Sequence, residues 1–399
     1  MKAVAFLIGY LLYPLSFLFP RSSRIWAFGS FRGAFNDNAK YLFIEAQTMY
    51  PLVRKVWISK SKETVRSIRA KGMEAYYSGS LKGLFWAMRA KYWFVNAYTS
   101  DILFFASGGA VCVNLWHGVG LKKIEFSITT GPLKKRFVEK TCKERFFHPE
   151  SFRRPDFFLS PTLFQSVKFA EAFRISVASC MPFGYPRNSL LAKDNASLMA
   201  FVQTYEPETT RLLIEKMRLY QKVFIYMPTW RDSQVNLFTQ EMDLERLNTI
   251  LQGQNALLLL KPHANTKMTE AMTKSLDHIV LIDSKVDVYP LLPFTHLLIT
   301  DYSSILYDYI LQEGKDVVLY LYDYNEYVRE RDFNYPFLDN VVGKIVFDFN
   351  ALATCLETND YAIDTTKRDA LRERFWGQTD ARLAASSIFD FCLQVHYDA

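Results

Sequence analysis

Six short apolar runs in this chain each stop at a small polar cluster, and that repeated break organises the sequence. The run 111–115 ends at Trp116-His117-Gly118, 180–183 at Gly184-Tyr185-Pro186-Arg187-Asn188, and 223–227 at Pro228-Thr229-Trp230-Arg231. The run 257–260 ends at Lys261-Pro262-His263, 296–299 at Thr300-Asp301-Tyr302-Ser303-Ser304, and, more weakly, 157–159 at Ser160-Pro161. Short continuous apolar runs set between helical patterns predict buried parallel strands. Open α/β sheets bind ligands just beyond the carboxyl ends of their strands, so the clusters are expected to converge on one cleft.

The alternation extends over most of the chain. Strands are expected at 25–28, 53–58, 92–96 and 111–115, with helices over 39–49 and 62–71; the first strand leads into Gly29-Ser30-Phe31-Arg32-Gly33 and Asn36-Asp37-Asn38. A polar, mostly helical stretch from 186 to about 223 reads as a boundary, and a second strand series begins at Val223, Leu257, Ile279, His296 and Val317. Alternating strands and helices indicate parallel sheets. The expected class is α/β with two Rossmann-like domains facing across a cleft, the GT-B arrangement, divided as 23–205 and 206–399, with closing helices over 367–395. No internal repeat or low-complexity tract interrupts this pattern.

The amino terminus departs from it. Residues 3–19 are almost wholly apolar and are followed by Arg21 and Arg24. No small-x-small cleavage site follows, which argues against a signal peptide. As a helix the run would rise roughly 25 Å, short of a ~30 Å hydrocarbon core, and Pro14 interrupts it. The segment 1–22 is therefore expected to associate with a membrane as a shallow or re-entrant anchor, its positive flank on the cytoplasmic side. A buried first helix is the alternative.

Composition adds three constraints. A chain of 399 residues, half of them hydrophobic and 22% charged, is globular and long enough for two cores. The net charge is +7, and ten Lys or Arg lie between His117 and Arg154 against four Glu. Interleaved with Phe126, Phe137, Phe146 and Phe147, this basic run is either a solvated face or suited to an anionic surface, lipid headgroups or a phosphate polymer; no nucleic-acid module accompanies it. The five cysteines, dispersed and without CxxC spacing, point away from disulfides and zinc and towards a reducing compartment.

Several catalytic devices are absent: the chain has no Asp-x-Asp, no Walker-type loop, no HExxH and no GxGxxG. Without paired carboxylates to hold an ion against a diphosphate, a phosphorylated donor has to be neutralised by cations, hydroxyls and backbone amides, so no metal or other cofactor is expected. Ser303 and Ser304, before an apolar helical run, form a candidate anion site, though simple helix capping explains them as well. Lys261, His263 and Arg231 place cationic groups at neighbouring strand ends. In the first half, His117 follows a strand directly, with Gly118 and Gly120 beside it, and an imidazole there can take a proton from an attacking hydroxyl.

Taken together and in order, the motifs resemble those of the CDP-glycerol glycerophosphotransferases that polymerise teichoic acids and related capsule chains. The matching stretches are SFRGAFNDN at 30–38, NLWHGVGLKKIEF at 114–126, GYPRNSLL at 184–191, YMPTWRD at 226–232, KPH at 261–263 and TDYSSILYDY at 300–309. The resemblance implies a GT-B fold, monotopic attachment at the cytoplasmic face of the plasma membrane, a CDP-glycerol or CDP-ribitol donor, and a polymeric or lipid-linked acceptor. It also implies catalytic roles for His117 and His263, donor contacts from Thr229, Arg231, Lys261, Asp301, Ser303, Ser304 and Asp308, and cleft or acceptor contacts from Gly118, Lys122, Arg187 and Asn188. The sequence departs from the family at Val119-Gly120, where Thr-Pro is common, at Arg331-Asp332-Phe333 and at Val341-Val342-Gly343-Lys344. Those departures bear on which polyol is carried. Two other readings stay open here: a GT-B sugar transferase using a nucleotide-sugar donor, and a non-catalytic membrane scaffold.

Overall fold

The computed structural model describes residues 2–229, 242–262, 275–283 and 285–397. The chain divides into two compact units, Met1–Ser189 with Phe375–Ala399, and Leu190–Arg374. The division falls after 189 rather than 205, and the last helix joins the first unit rather than closing the second.

The first unit is built on seven strands: β1 (Ser22–Gly29), β2 (Arg54–Ser59), β3 (Ala75–Tyr77), β4 (Ala90–Val95), β5 (Val111–Asn114), β6 (Phe157–Leu159) and β7 (Cys180–Met181). Their order is β3-β2-β1-β4-β5-β6-β7 and every pairing is parallel. The sheet is buried on both faces: Trp26, Phe28, Trp57 and Trp93 are inaccessible to solvent. On one face the C-terminal helix Ala384–Tyr397 docks because Trp26 stacks on Phe389, with ring centroids 4.8 Å apart, and Tyr92 donates to the Cys392 carbonyl at 2.7 Å. Nothing in the local pattern of that helix announces its docking partner.

The second unit carries six parallel strands: β8 (Lys222–Met227), β9 (Ala256–Leu260), β10 (Ile279–Leu281), β11 (Leu297–Thr300), β12 (Asp316–Tyr320) and β13 (Lys344–Val346), in the order β10-β9-β8-β11-β12-β13. Leu258, Leu260, Leu297, Ile299, Val318 and Tyr320 form the centre of its core. Each sheet reverses its winding once, at β1/β4 and at β8/β11. Such reversals open a crevice at the carboxyl edge, where ligands bind in doubly wound sheets.

The apolar amino terminus is helix α1 (Lys2–Phe17), which runs through Pro14. Among the described residues no helix is long and apolar enough to cross a membrane. One side of α1 packs on the first unit: Phe6 and Tyr10 meet Phe105 and Phe146, Tyr13 stacks on Phe104, and Ser16 is buried against Gly108. The other side leaves Leu7, Ile8, Leu11 and Leu15 more than half exposed. The helix is thus neither a span nor a fully buried core element.

Candidate active site

In the first unit, four loops at the carboxyl edge of the sheet meet around His117. After β4, the Asn96 side chain accepts from the Ala39 amide at 2.9 Å and donates to Ser30 Oγ at 2.8 Å, which ties it to the loop after β1. After β5, Asn114 accepts from the Trp116 amide at 2.9 Å and donates to the Ala97 carbonyl at 2.8 Å. That brace holds Trp116 at a φ of +50°, a left-handed conformation uncommon for a bulky residue. Asn38 completes the frame by donating to the Leu115 and Trp116 carbonyls at 3.1 and 3.0 Å. After β7, the Tyr185 hydroxyl donates to the Gly118 carbonyl at 2.9 Å.

These contacts aim one imidazole. His117 Nδ1 lies 3.0 Å from the Asn96 carbonyl oxygen. A carbonyl only accepts, so Nδ1 carries the proton and Nε2 keeps a lone pair. The residue is exposed, and its ring lies against Trp116 with centroids 4.1 Å apart. Desolvation by crowding pulls its pKa below the ordinary value; the Asp37 carboxylate and the Asn96 carbonyl oppose the shift, and the Arg187 guanidinium adds to it. A neutral imidazole with an open Nε2 can accept a proton from a hydroxyl.

Arg187 is buried, and its Nη1 reaches Asp37 Oδ1 at 2.6 Å. Asp37 opens helix α2 (Asp37–Met49) at a φ of +60°. Beneath the site, the buried Asp101 carboxylate accepts the Asn96 and Ala97 amides at 3.0 and 2.8 Å. Burial raises its pKa to about 7 against the opposing backbone amides and Lys60. Asp101 therefore fixes the peptide whose carbonyl orients His117.

In the second unit, the switch point is closed by a clamp. The Thr229 amide donates to both carboxylate oxygens of Asp301 at 2.9 and 3.0 Å, and the Thr229 hydroxyl donates to Oδ1 at 2.5 Å. Thr300 ties the same two strands by donating to the Met227 carbonyl at 2.7 Å. Ser303 and Ser304 follow on a half-exposed turn, and Ser303 Oγ accepts weakly from the Ile305 amide at 3.4 Å. The helix they begin is only Ile305–Tyr309, so its dipole is small and the turn's hydroxyls and amides are its polar groups.

A model of the family described as CDP-Glycerol:Poly(glycerophosphate) glycerophosphotransferase matches residues 11–393 of this chain. The chain belongs to that family. It is 27% identical over 374 residues to a teichoic acid glycerol-phosphate transferase of Staphylococcus aureus (strain NCTC 8325 / PS 47), covering 92% of this chain and 90% of that one. It is 26% identical over 372 residues to a teichoic acid poly(glycerol phosphate) polymerase of Staphylococcus epidermidis (strain ATCC 35984 / DSM 28319 / BCRC 17069 / CCUG 31568 / BM 3577 / RP62A), covering 87% of this chain but only 47% of that longer protein. A solved structure of the wall teichoic acid polymerase TagF covers 100% of this chain and 96% of its own at a TM-score of 0.77 and 24% identity, which shows a shared fold.

Within this glycerophosphotransferase, the expected first-unit residues Gly118 and Arg187 meet His117's frame directly. Asn188 is buried beside Arg187, and Lys122 lies half-buried on the loop after His117. Three expected donor contacts have other work in the structure. The Asp301 carboxylate holds Thr229, so it shapes the turn. Asp308 is buried and accepts from the Tyr289 hydroxyl at 2.8 Å, which orients its helix from within the core. Lys261 donates to the Asp283 and Val286 carbonyls at 2.7 and 3.0 Å, and burial lowers its pKa to about 8 while Asp287 and Asp283 oppose the shift. Arg231 and His263 lie outside the described residues. Sequence reasoning missed Asn96 and Asp101: the first stood at the expected strand end as an unremarked last residue, and the second carried no local signal.

Proposed function

We propose that the protein transfers a polyol phosphate, glycerol- or ribitol-phosphate, from a CDP-activated donor to a hydroxyl of a growing cell-surface polymer or lipid-linked primer, releasing CMP. The acceptor hydroxyl attacks the polyol-bearing phosphorus, its proton passes to His117 Nε2, and the bond to the departing CMP breaks as the phosphodiester forms. Positioning and charge neutralisation dominate in this reaction class. The first unit supplies the base and the second binds the donor, through the Ser303-Ser304 turn with Arg231 and His263, without a metal.

The observation that carries this reading is the Asn96 carbonyl against His117 Nδ1, which leaves the opposite nitrogen as a proton acceptor. The test is CMP release from a panel of CDP-polyols with membrane-bound protein. His117→Ala is expected to lower turnover by roughly 10²- to 10⁴-fold with donor affinity retained; unchanged turnover rules the base assignment out, and release of a nucleoside diphosphate from a nucleotide sugar favours a sugar transferase instead.

The same reading places the protein at the cytoplasmic face of the plasma membrane as a peripheral protein. Its support is the exposed row Leu7, Ile8, Leu11 and Leu15 on α1, together with exposed Lys134, Lys135, Lys140, Lys143 and Arg145. That basic segment adjoins α1, since Tyr10 donates to the Arg145 and Phe146 carbonyls at 3.2 and 2.9 Å. An apolar row flanked by cations suits an anionic bilayer surface.

A further inference from the structure

At the opposite edge of the first sheet from His117, where β1 and β4 begin, lies an open cavity of about 580 Å³. Its walls include Phe17 at the end of α1 and Phe19 just beyond it, Ser22, Ser23 and Arg24 from β1, and Lys91 from β4. Arg21 also borders it, but that guanidinium is committed: its nitrogens donate to the Gly108, Ala87, Ala90 and Ala106 carbonyls at 2.6 to 3.0 Å. It pins the chain as it leaves α1 and so fixes the cavity relative to the helix. Arg24 and Lys91, by contrast, have no side-chain hydrogen bond or ion pair among the described residues, and no carboxylate lines the cavity.

The position of these two cations is informative. Arg24 is exposed and Lys91 half-buried, on neighbouring parallel strands in the stretch where the register shifts between the Ser22–Ala90 and Trp26–Tyr92 pairs, and both line the cavity with Ser22 and Ser23. Phe17 is 57% exposed and Leu18 81% exposed at the rim, continuing the apolar row of α1. A cavity with cations and hydroxyls inside and an apolar lip outside matches a phosphodiester whose acyl chains leave along the lip.

We propose that this cavity binds the phosphodiester headgroup of an anionic phospholipid, and that it sets how the protein stands on the bilayer. The inference rests on the membrane-surface reading above and adds a specific contact to it. Bound there, the headgroup lies at the amino edge of the sheet. The eight residues of β1 then rise roughly 23 Å towards the carboxyl edge that carries His117.

The experiment is vesicle co-sedimentation of the full chain at fixed ionic strength, using phosphatidylcholine vesicles with and without phosphatidylglycerol. Arg24→Gln combined with Lys91→Gln is expected to weaken binding to phosphatidylglycerol vesicles by roughly 10- to 30-fold, at about 1 kcal/mol per basic residue near the surface. The control, Lys134→Gln with Lys135→Gln, removes the same charge elsewhere and is expected to cost less. Soluble short-chain phosphatidylglycerol is expected to raise the Tm of the parent chain but not of the Arg24/Lys91 variant. Equal losses from the two double variants, or a Tm rise produced equally by inorganic phosphate, overturn the headgroup site while leaving membrane association standing. If the parent chain sediments with neither vesicle, and Leu7→Asp with Leu11→Asp changes nothing, the membrane reading itself fails.

Discussion

Replacing Arg187 by Gln tests the electrostatics of the His117 site with two independent readouts. The side chain is 2% exposed and its Nη1 sits 2.6 Å from Asp37 Oδ1. Breaking a buried pair by deleting one partner costs about 3–5 kcal/mol, but the Asp37 side chain is 24% exposed and regains some hydration, which favours the lower end. A net loss of about 3 kcal/mol follows, to which the Arg187 guanidinium, 5.0 Å from the Tyr185 ring centroid, contributes through lost cation–π attraction. For a unit of this size each kcal/mol lowers the Tm by about 2–4 °C, so calorimetry should show a drop of about 6–12 °C. The second readout is the acid limb of the kcat/KM profile. Arg187 lowers the His117 pKa and Asp37 raises it, so Arg187→Gln moves the limb to higher pH and Asp37→Asn moves it to lower pH. Limbs that shift in the same direction, or a Tm unchanged in Arg187→Gln, would refute the argument.

Three further outcomes follow from the same contacts. Asp301→Ala removes the acceptor of three hydrogen bonds from Thr229; it should cost about 3 kcal/mol and strip hydrogen-exchange protection from the Thr229 amide, whereas retained protection would mean the clamp is dispensable. The Asp101 carboxyl has a folded-state pKa raised from 3.8 to about 7, so its contribution is fully present below the unfolded value and is lost as pH rises to about 7. At roughly 1.4 kcal/mol per unit that window holds about 4 kcal/mol, and Asp101→Asn should flatten the fall in stability between pH 4 and pH 7 seen by denaturant unfolding. Glu125, raised from 4.5 to about 7 mainly by burial and accepting from the Tyr98 hydroxyl at 2.6 Å, should behave in the same sense in Glu125→Gln; an unchanged slope in both variants would show that neither carboxyl titrates in that window.

Much of the fold was legible because parallel strands buried on both faces are nearly pure apolar runs. The strands at 223–227, 257–260 and 296–299 emerge within a residue or two as β8, β9 and β11. The strands β3 and β13 escaped because three residues carry no usable period, and β13 begins with a half-exposed lysine. The start of β1 escaped for a different reason. Ser22, Ser23 and Arg24 face the open end of the sheet, so polarity hides a strand whose backbone pairs as early as Ser22 with Ala90. The C-terminal helix could not be assigned to the first unit, because its docking depends on the Trp26–Phe389 stack between residues far apart in sequence. At the sites, a charged residue at a strand end says only that a charge is there. Whether Asp301 or Lys261 meets a ligand or holds a loop is decided by hydrogen-bond partners about 3 Å away, Thr229 as donor for one and the Asp283 and Val286 carbonyls as acceptors for the other.

The two carboxyl edges solve their wiring differently, and the difference bears on the chemistry. Around His117 the frame is made mostly of amides: Asn38, Asn96 and Asn114 each donate and accept without carrying charge. That frame fixes the imidazole and its tautomer, and its Asn96 carbonyl joins Asp37 in opposing the lowering of the pKa by crowding and Arg187. The His117 imidazole therefore stays neutral to a lower pH than an ordinary histidine. At the β8/β11 edge the turn is held by a full carboxylate instead, and Asp308 and Lys261 are likewise drawn into loop and helix contacts. A negative charge left facing an incoming diphosphate would repel it; binding Asp301 to the Thr229 amide and hydroxyl turns that charge inward. The Ser303 and Ser304 hydroxyls are half-exposed on that turn, so under the proposed function a phosphorylated donor meets neutral hydroxyls there rather than the Asp301 carboxylate.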